Sequence, residues 1–323
     1  MSSTIKVNLK RDSYDIIFDD NFVESAMALI GTSSKCMIIT QEVIYKAFEE
    51  KFSVLKSLPN IEFHFIGQGE KAKSIETAIE ICDKMTMMCY DRSSTIFAVG
   101  GGVVGDIAGF VASIFMRGID YIQYPTTLLA MVDSSIGGKT GVNLKSGKNL
   151  IGRIHQPKAV IIDLSFLDTL PQREINASLA EAIKYGFIYD RELFNYIVEN
   201  ISDILSAKNQ TALKKIILRS CEIKSEVVSK DVNEDNIRMI LNFGHTIGHA
   251  LEGYFEYKKL LHGEAILYGM KCALYLSHTI GNLNENEYHA SLKALSAFTL
   301  HAINIKDKKS IIKFIKKDKK IKE

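Results

Sequence analysis

The chain has 323 residues, of which 46% are hydrophobic and 24% are charged, a composition typical of a globular protein with a sizeable core. Its formal net charge of +2 is small, so the overall charge does not indicate binding to nucleic acid or to a membrane surface. The apolar runs, such as Ile96–Val99, are far shorter than the roughly 20 residues that a membrane-spanning helix needs. The N-terminus lacks a signal-peptide pattern and the five cysteines form no Cys-x-x-Cys pair, so we expect a cytoplasmic protein with free thiols.

The first part of the chain alternates short strand-like segments with helical patterns. This alternation is typical of βαβ units and predicts a mostly parallel sheet. Apolar residues near helical spacing predict a helix over Ile75–Cys89. The predicted strands are Lys35–Thr40, Glu62–Ile66, Thr95–Val99, Tyr121–Tyr124 and Ala159–Asp163.

From Pro171 onward, long amphipathic stretches replace the alternation, and none of them contains a proline, which would break a helix. We therefore predict a Rossmann-like α/β domain over residues 1–170, followed by an all-α domain over residues 171–323. The predicted helices of the second domain are Ile175–Phe187, Asp190–Ser206, Thr211–Lys230, Met239–Tyr254 and Gly263–His278.

A glycine-rich turn follows the predicted strand Thr95–Val99. Its sequence, GGGVVGD over Gly100–Asp106, leads into helical spacing over Ile107–Ser113. A strand, a glycine turn and a helix N-terminus in this order present backbone N–H groups to a phosphate, and glycine lets the backbone approach a pyrophosphate. The spacing differs from the GxGxxG of dinucleotide-binding folds. A tight turn that simply requires glycine is therefore the alternative.

A second segment that suits a phosphorylated ligand follows the strand Tyr121–Tyr124. Thr126 and Thr127 begin a helix there, and they either cap it or contact a ligand. The stretch from Asp133 to Asn149 then combines several glycines with two lysines, Lys139 and Lys148. A generic surface loop is the alternative for this stretch.

Three histidines of the second domain suggest a metal site. His245 and His249 are four residues apart and share one helix face. Thr246 follows His245, so the HExxH pattern of zinc proteases is absent. His262 opens the next predicted helix and offers another imidazole.

Carboxylates near these histidines complete the set of candidate ligands. Glu181 and Lys184 share a helix face, although they also have the spacing of a simple ion pair. Two histidines and one carboxylate with an open position form a common catalytic zinc set. The candidates that spacing alone leaves open are His245, His249, His262, Glu181 and Glu264.

Taken together, these motifs resemble the 3-dehydroquinate synthase family of the sugar-phosphate cyclases. The similarity runs from about Ser13 to Asp318, and the motifs occur in family order. They are Gly100–Asp106, Tyr124–Thr127, Val132–Asn143, Gly147–Asn149, Ala180–Lys184, Leu241–His249 and Leu261–Ala265.

The resemblance implies two cofactors, NAD and a divalent zinc or cobalt ion, and a division of the site residues among three roles. The implied metal ligands are Glu181, His245 and His262. The implied nucleotide contacts are Gly69, Glu70, Lys73, Gly102, Val103, Val104, Gly105, Asp106, Thr126, Thr127, Lys139, Lys148 and Thr169. The implied substrate contacts are Asp133, Lys139, Asn149, Lys184, Lys224, Arg238, Asn242 and His249.

The activity that the resemblance implies converts 3-deoxy-D-arabino-heptulosonate 7-phosphate to 3-dehydroquinate and phosphate, a step of the shikimate pathway. NAD oxidises the substrate transiently, phosphate is eliminated, the ketone is reduced again, and an intramolecular aldol addition closes the carbocycle. The net reaction is that of a carbon–oxygen lyase. Arg117 resembles the arginine that reaches a neighbouring subunit's site, which implies a homodimer; no nucleic acid or membrane partner is expected.

Two segments depart from the family pattern. The family often carries an acidic residue or asparagine that grips the adenosine ribose, where this chain has Gln41 and Val43. The family also continues beyond an Asp-Lys-Lys stretch, which here is Asp318–Lys320, almost at the end of the chain. Lys319 or Lys320 is expected near the substrate phosphate.

Three other functions share part of this pattern. A 2-deoxy-scyllo-inosose or valiolone-type synthase would take a different sugar phosphate. A polyol dehydrogenase of the glycerol dehydrogenase type would release NADH and would not need the lysine-rich segment. A catalytically inactive binding protein would not need the full set of polar residues. Phosphate release from 3-deoxy-D-arabino-heptulosonate 7-phosphate, without net NADH accumulation, would separate the implied activity from all of these.

Overall fold

The computed structural model describes residues 3–30, 35–144, 147–206 and 209–316. Lys319 and Lys320, one of which is expected near the substrate phosphate, lie outside the described residues. The chain divides into two compact units, of which the first comprises Met1–Leu170 with Lys224–Val232 and the second Pro171–Ile223 with Asn233–Glu323. Among the described residues, no helix combines the length and apolar character needed to span a membrane.

The first unit contains a seven-stranded sheet and a separate two-stranded hairpin. Among the described residues its strands are β1 (Ser3–Val7), β2 (Tyr14–Phe18), β3 (Cys36–Thr40), β4 (Ile61–Phe65), β5 (Thr95–Gly100), β6 (Asp120–Pro125), β7 (Lys139–Leu144), β8 (Gly147–Ile154) and β9 (Ala159–Ile162). The strand order in the large sheet is β1-β2-β9-β6-β5-β3-β4, and only the β1–β2 pair is antiparallel. The hairpin pairs β7 with β8. The predicted, mostly parallel sheet is confirmed.

Five helices of the first unit pack with this sheet. They are α1 (Phe22–Ile30), α2 (Glu42–Ala47), α3 (Glu49–Lys56), α4 (Ile75–Met87) and α5 (Gly102–Ile114). Residues of β3 and β5, such as Ile39 and Ile96, share one core cluster with Ile81 of α4 and Ile107 of α5. Every residue of β3 and of β5 is buried, as expected for strands covered on both faces.

The second unit is helical throughout its described residues, which confirms the predicted all-α region. Its helices are α6 (Gln172–Ile188), α7 (Arg191–Glu199), α8 (Ile201–Leu205), α9 (Gln210–Lys230, whose residues from 224 belong to the first unit), α10 (His245–Tyr254), α11 (His262–Ile280), α12 (Glu285–Ser296) and α13 (Lys308–Lys316).

Two helices predicted as continuous are interrupted. The stretch Asp190–Ser206 forms α7 and α8, and Asn200 separates them. The stretch Met239–Tyr254 forms a 3₁₀-helix over Ile237–Asn242 and then α10. The second break occurs because Gly244, just before α10, has a φ of 81°, a left-handed conformation that ends a right-handed helix.

Two glycines of α11 let its backbone pack directly against the backbone of two neighbouring segments of the second unit. A Cβ on Gly263 would lie 1.7 Å from the carbonyl oxygen of Ala177 in α6. A Cβ on Gly269 would lie 1.8 Å from the carbonyl oxygen of Gly244. Only glycine permits either contact, so these two positions bring the first turn of α11 next to α6 and its third turn next to the start of α10.

Candidate active site

Three side chains from α6, α10 and α11 form a compact cluster. Glu181 lies in the buried middle of α6, whereas His245 and His262 are the first residues of α10 and α11. The Oε1 atom of Glu181 lies 3.7 Å from Nε2 of His245 and 3.6 Å from Nε2 of His262. One ligand atom from each residue therefore lies within 4.8 Å of the other two.

The spacing of these three atoms fits a shared metal ion. Two bonds of 2.0–2.1 Å at a tetrahedral angle place their ligand atoms about 3.4 Å apart. The separations of 3.6 and 3.7 Å are close to that value and longer than ordinary hydrogen bonds. Three protein ligands leave one position open, which is the arrangement of catalytic rather than structural zinc sites.

Contacts on the far side of each imidazole orient its ring. Nδ1 of His245 lies 3.2 Å from the carbonyl oxygen of Phe243, and Nδ1 of His262 lies 3.1 Å from Oε2 of Glu252. In each ring the proton then belongs on Nδ1 and Nε2 is left to accept a metal. Sequence reasoning missed Glu252, although its position seven residues after His245 on one helix was a signal.

The charges around the cluster favour a cation. Lys184 donates to Oε2 of Glu181, so the ion pair suggested by their spacing is present and fully buried. Burial and the charge of Lys184 lower the pKa of His245 well below its usual value. Burial also opposes protonation of His262, but the carboxylates of Glu252 and Glu181 raise its pKa to about 10, so a metal ion that binds Nε2 must displace a proton from it. Two carboxylates against one lysine leave the neighbourhood attractive to positive charge.

Two further candidates from the sequence have different surroundings. Glu264 accepts both a hydrogen bond from the Leu261 amide and a bidentate pair from Arg173 at 2.8 and 2.9 Å, so it caps α11. His249 lies one turn after His245, with its ring 5.2 Å from that of His245 and 5.9 Å from that of His262. A second possible ligand group combines His249, Glu252 and His262.

Two predicted substrate residues belong to the 3₁₀-helix before α10. Arg238 is only 2% exposed, and Asn242 donates from Nδ2 to Oε1 of Glu234 at 2.9 Å. A buried guanidinium in such a segment is a strong anion partner, because its donors are fixed in a planar fork. Their role toward a substrate stays a prediction.

The glycine turn of the first unit has the structure expected from its sequence. Gly100 ends β5 and Gly102 begins α5, whose first turn contains no acidic residue. In the sheet, β3 and β5 are neighbours. The chain continues from β3 to β4 on one side of this pair and from β5 to β6 on the other side, so the strand order reverses between them. Open α/β sheets bind ligands at such a switch point, beyond the carboxyl ends of the strands. The N-terminus of α5 lies there, with Val103, Val104 and Gly105 in its first turn.

Polar groups near this turn fit a nucleotide. A Cβ on Gly102 would lie 3.0 Å from Oγ of Ser134, and one on Gly101 would lie 3.0 Å from Cγ2 of Thr127. Oγ of Ser134 and Oγ1 of Thr40, at the end of β3, are buried and form no hydrogen bond with any described residue. Buried hydroxyls beside a helix N-terminus suit a phosphate or ribose. Sequence reasoning missed Ser134 as a candidate.

The two threonines after β6 differ in their contacts. The Thr126 amide donates to the Gly100 carbonyl at 3.0 Å, and Oγ1 of Thr127 accepts from the Ala130 amide at 3.2 Å. Thr127 therefore caps the helical segment that follows. In the region where the family often grips the ribose, Nε2 of Gln41 donates to the Gly67 carbonyl at 2.8 Å, and Val43 is 51% exposed.

A partly buried ion pair links α5 to the loop that contains Gly69. Lys73 donates to Oδ2 of Asp106, and Lys73 is 4% exposed. Burial raises the pKa of Asp106 against the opposing charge of Lys73. Lys148 lies 3.6 Å from Glu70. The loop that contains Gly69, with its φ of 72°, therefore carries several of the predicted nucleotide contacts.

Asn143, at the end of the β7–β8 hairpin, joins this loop to a predicted substrate residue. Its Nδ2 donates to Oε2 of Glu70 at 2.6 Å, and its amide donates to the Lys73 carbonyl at 2.8 Å. Its Oδ1 accepts from the amide of Asn149 at 2.9 Å. Asn149 has a φ of 54°, so this contact helps to hold an unusual backbone conformation.

The remaining predicted residues of the first unit lie on several different elements. Nζ of Lys224 donates to the carbonyl oxygen and Oδ1 of Asp133 at 2.6 and 2.7 Å. Lys139 begins β7 and is exposed, and Thr169 is exposed at the end of the 3₁₀-helix Leu164–Thr169. Arg117 is exposed with a φ of 70°.

Two solved structures share this fold over almost the whole chain. A 2-deoxy-scyllo-inosose synthase complexed with carbaglucose-6-phosphate, NAD⁺ and Co²⁺ is 28% identical, with a TM-score of 0.86 over 98% of this chain and 89% of its own. The 2-epi-5-epi-valiolone synthase of Streptomyces hygroscopicus subsp. jinggangensis 5008, with NAD⁺ and Zn²⁺ bound, is 29% identical, with a TM-score of 0.86 over 96% and 87%. The fold is thus that of the sugar-phosphate cyclases.

Sequence comparison identifies the family within this class. The family model described as 3-dehydroquinate synthase N-terminal matches residues 63–177, and the one described as 3-dehydroquinate synthase C-terminal matches residues 178–321. The 3-dehydroquinate synthase of Thermoanaerobacter sp. (strain X514) is 46% identical over 323 residues, which cover 98% of this chain and 90% of the relative. The chain belongs to the 3-dehydroquinate synthase family, which confirms the resemblance seen in the motifs.

Proposed function

We propose that this chain converts 3-deoxy-D-arabino-heptulosonate 7-phosphate to 3-dehydroquinate and phosphate, with NAD and a divalent zinc or cobalt ion as cofactors. The observation that carries the proposal is the cluster of Glu181, His245 and His262, whose donor atoms have the spacing of metal ligands. The cluster occurs in a chain 46% identical to a 3-dehydroquinate synthase. Related cyclases with the same fold bind NAD⁺ together with Co²⁺ or Zn²⁺.

In the helical unit, Glu181, His245 and His262 hold the metal. When bound, the ion would polarise hydroxyl and carbonyl oxygens of the substrate, and NAD would supply a reversible hydride acceptor. The chain's own groups prepare this site: Lys184 fixes Oε2 of Glu181 and thereby leaves Oε1 directed to the two histidines. The residues that bind the substrate's polar groups in this unit are Lys184, Arg238, Asn242 and His249.

In the α/β unit, the glycine turn and the N-terminus of α5 hold the pyrophosphate of NAD. Backbone N–H groups and the helix dipole supply the positive potential, so the binding needs few charged side chains. The nucleotide contacts that we propose are Gly69, Glu70, Lys73, Gly102, Val103, Val104, Gly105, Asp106, Thr126, Thr127, Lys139, Lys148 and Thr169. The substrate contacts that we propose from this unit are Asp133, Lys139, Asn149 and Lys224.

The chemistry asks mainly for positioning and charge compensation. Lysines and Arg238 neutralise the phosphate and carboxylate of the substrate, which lowers the cost of bringing both anions to one site. The departing phosphate can take the proton removed in the elimination, so no strong protein base is required. Holding a flexible seven-carbon chain in one conformation then contributes much of the rate enhancement.

The assembly and location of the protein remain proposals. Arg117 is exposed and lies in a short segment of residues with positive φ. This strained backbone conformation persists only where the surrounding structure enforces it. We propose that Arg117 completes the site of a second copy in a homodimer. Residence in the cytoplasm remains a prediction from the sequence.

A coupled assay tests the proposed reaction. The protein is incubated with the heptulosonate phosphate, NAD and Zn²⁺ or Co²⁺, and phosphate, 3-dehydroquinate and NADH are measured together. We expect phosphate and 3-dehydroquinate in equal amounts without net NADH. Glucose 6-phosphate and glycerol in parallel reactions test another cyclase and a polyol dehydrogenase. No phosphate from the heptulosonate phosphate, or NADH accumulation with glycerol, would overturn the proposal.

A further inference from the structure

Glu252 is a buried carboxylate that the proposed reaction does not use. It lies in α10 on the helix face of His245 and His249, and only 4% of the residue is exposed. Burying an ionised carboxylate is costly unless it is paired or hydrogen-bonded. One of its partners is Nδ1 of His262, which lies 3.1 Å from its Oε2. The position therefore calls for a role that involves His262.

The two nitrogens of His262 face different carboxylates. Nδ1 lies at hydrogen-bond distance from Glu252, whereas Nε2 lies 3.6 Å from Oε1 of Glu181. The side chain of His262 is 31% exposed, so packing alone does not fix its ring. His245 differs, because a backbone carbonyl, that of Phe243, orients its Nδ1. One metal-facing imidazole thus depends on the main chain and the other on a single carboxylate.

The structure also offers Glu252 a different role, as a ligand in the group of His249, Glu252 and His262. Ligand atoms of one tetrahedral ion lie about 3.4 Å apart. The 3.1 Å between Glu252 and His262 is shorter and matches a hydrogen bond instead. The distances of 3.6 and 3.7 Å around Glu181 fit a metal better. The geometry thus favours Glu252 as a support for a ligand.

We propose that Glu252 is a positioning residue, which holds His262 through Nδ1 so that Nε2 faces Glu181 and His245, and which thereby sets the affinity of the metal site. The inference rests on the proposed function only in that these three residues bind a divalent ion. In this role Glu252 acts through its contact with His262. Carboxylates that orient metal-bound histidines typically contribute 10- to 100-fold to metal affinity.

The test measures metal binding by the full chain without substrate. Zn²⁺ affinity is determined by competition with a chelator, and the absorption spectrum of bound Co²⁺ reports the ligand set. For Glu252→Gln we expect an affinity about 10- to 100-fold weaker with a four-coordinate Co²⁺ spectrum, because glutamine can still accept from Nδ1. Glu252→Ala, which removes the acceptor, should bind still more weakly. The matched control is Glu256→Gln, an exposed glutamate paired with Lys258, which should bind as the unchanged chain does.

Two results would overturn the proposal. The first is an unchanged Zn²⁺ affinity in Glu252→Gln. The second is loss of the ion from Glu252→Gln together with its retention in Glu181→Gln, which would make Glu252 a ligand of the other group. Thermal unfolding without metal identifies any variant that fails to fold, and Glu252→Gln preserves the shape if Glu252→Ala does not fold. A chain that binds Zn²⁺ but releases no phosphate would refute the proposed reaction and leave this inference standing.

Discussion

The glycine turn of the α/β unit and the metal-ligand cluster of the helical unit are built in opposite ways. The turn uses backbone groups within the seven residues from Gly100 to Asp106, between one strand and one helix. The cluster uses side chains separated by up to 81 positions, from Glu181 to His262, and three helices must pack to form it. Local sequence can thus specify the turn, whereas the cluster exists only when the tertiary packing is correct.

Glycine serves both regions, but for different neighbours. In the turn, Gly101 and Gly102 bring the backbone close to the side chains of Thr127 and Ser134. In the helical unit, Gly263 and Gly269 bring α11 into contact with the backbone of other helices. Substitution should therefore weaken ligand binding in the first region and destabilise the fold in the second.

The largest effect is expected for Glu181→Gln, which removes a metal ligand. Loss of Lewis-acid stabilisation worth several kcal/mol corresponds to about a thousandfold decrease in kcat/KM. Metal analysis should show little bound Zn²⁺, and adding Zn²⁺ after chelation should restore the unchanged chain but not the variant. Glu192→Gln, an exposed glutamate on α7, serves as the control and should keep full activity. Near-normal metal content in Glu181→Gln would contradict its assignment as a ligand.

The next effect is expected for Gly263→Ala, which tests the packing that assembles the cluster. The added Cβ would lie 1.7 Å from the Ala177 carbonyl oxygen, so α6 and α11 must move apart. We expect a loss of about 3 kcal/mol in the free energy of unfolding, at the upper end for overpacked positions, together with weaker metal binding. Denaturant unfolding and Zn²⁺ titration measure both.

The control for Gly263→Ala is Gly67→Ala, whose Cβ would make only an ordinary 3.5 Å contact with Ala72. It should change the free energy of unfolding by less than about 0.5 kcal/mol. If both variants unfold alike, the close helix contact does not hold the cluster together.

The same contrast explains how much of the molecule the sequence predicted. The predicted strands correspond to β3, β4, β5, β6 and β9, because buried parallel strands are continuous apolar runs. The strands β1, β2, β7 and β8 were not predicted. In β1 and β2 more buried residues alternate with less buried ones, no residue of β8 is fully buried, and β7 lies in the glycine-rich stretch after Asp133. The break at Gly244 was missed because glycine within an amphipathic pattern does not by itself reveal a positive φ.

For the metal-ligand cluster, residue types and spacing in the sequence indicated five candidate ligands but did not show which three of them bind the ion. Choosing among them needs distances between helices that are remote in sequence. The structure separates Glu264, which binds Arg173 and caps α11, from Glu181, which faces two histidines. Glu252 was absent from the candidates because its role depends on α11 lying beside α10.

A smaller effect is expected for Gly102→Ala, which probes the backbone-built region. Its Cβ would lie 3.0 Å from Oγ of Ser134, a contact that a small side-chain movement relieves. The fold should therefore lose less than about 1 kcal/mol. The methyl group would also crowd the N-terminus of α5, and we expect NAD to bind about tenfold more weakly, or about 1.4 kcal/mol. Titration with NADH fluorescence measures this, while Zn²⁺ affinity serves as the internal control. Weaker Zn²⁺ binding with unchanged NAD binding would show that Gly102 supports the metal site and not the nucleotide site, contrary to this prediction.

The smallest effect is expected for Asn143→Ala, because the residue acts only by joining two segments of the α/β unit. The variant loses hydrogen bonds to Glu70 and Asn149 but retains the backbone bond to Lys73. We expect a loss of about 1 kcal/mol in stability, faster amide hydrogen exchange in β7 and β8, and a few-fold higher KM for NAD. Asn282→Ala, an exposed residue between α11 and α12, is the control. Exchange that stays slow in β7 and β8 would show that the backbone pairing of the hairpin holds it in place without the side chain of Asn143. The hairpin would then resemble the glycine turn, which is also built from backbone groups.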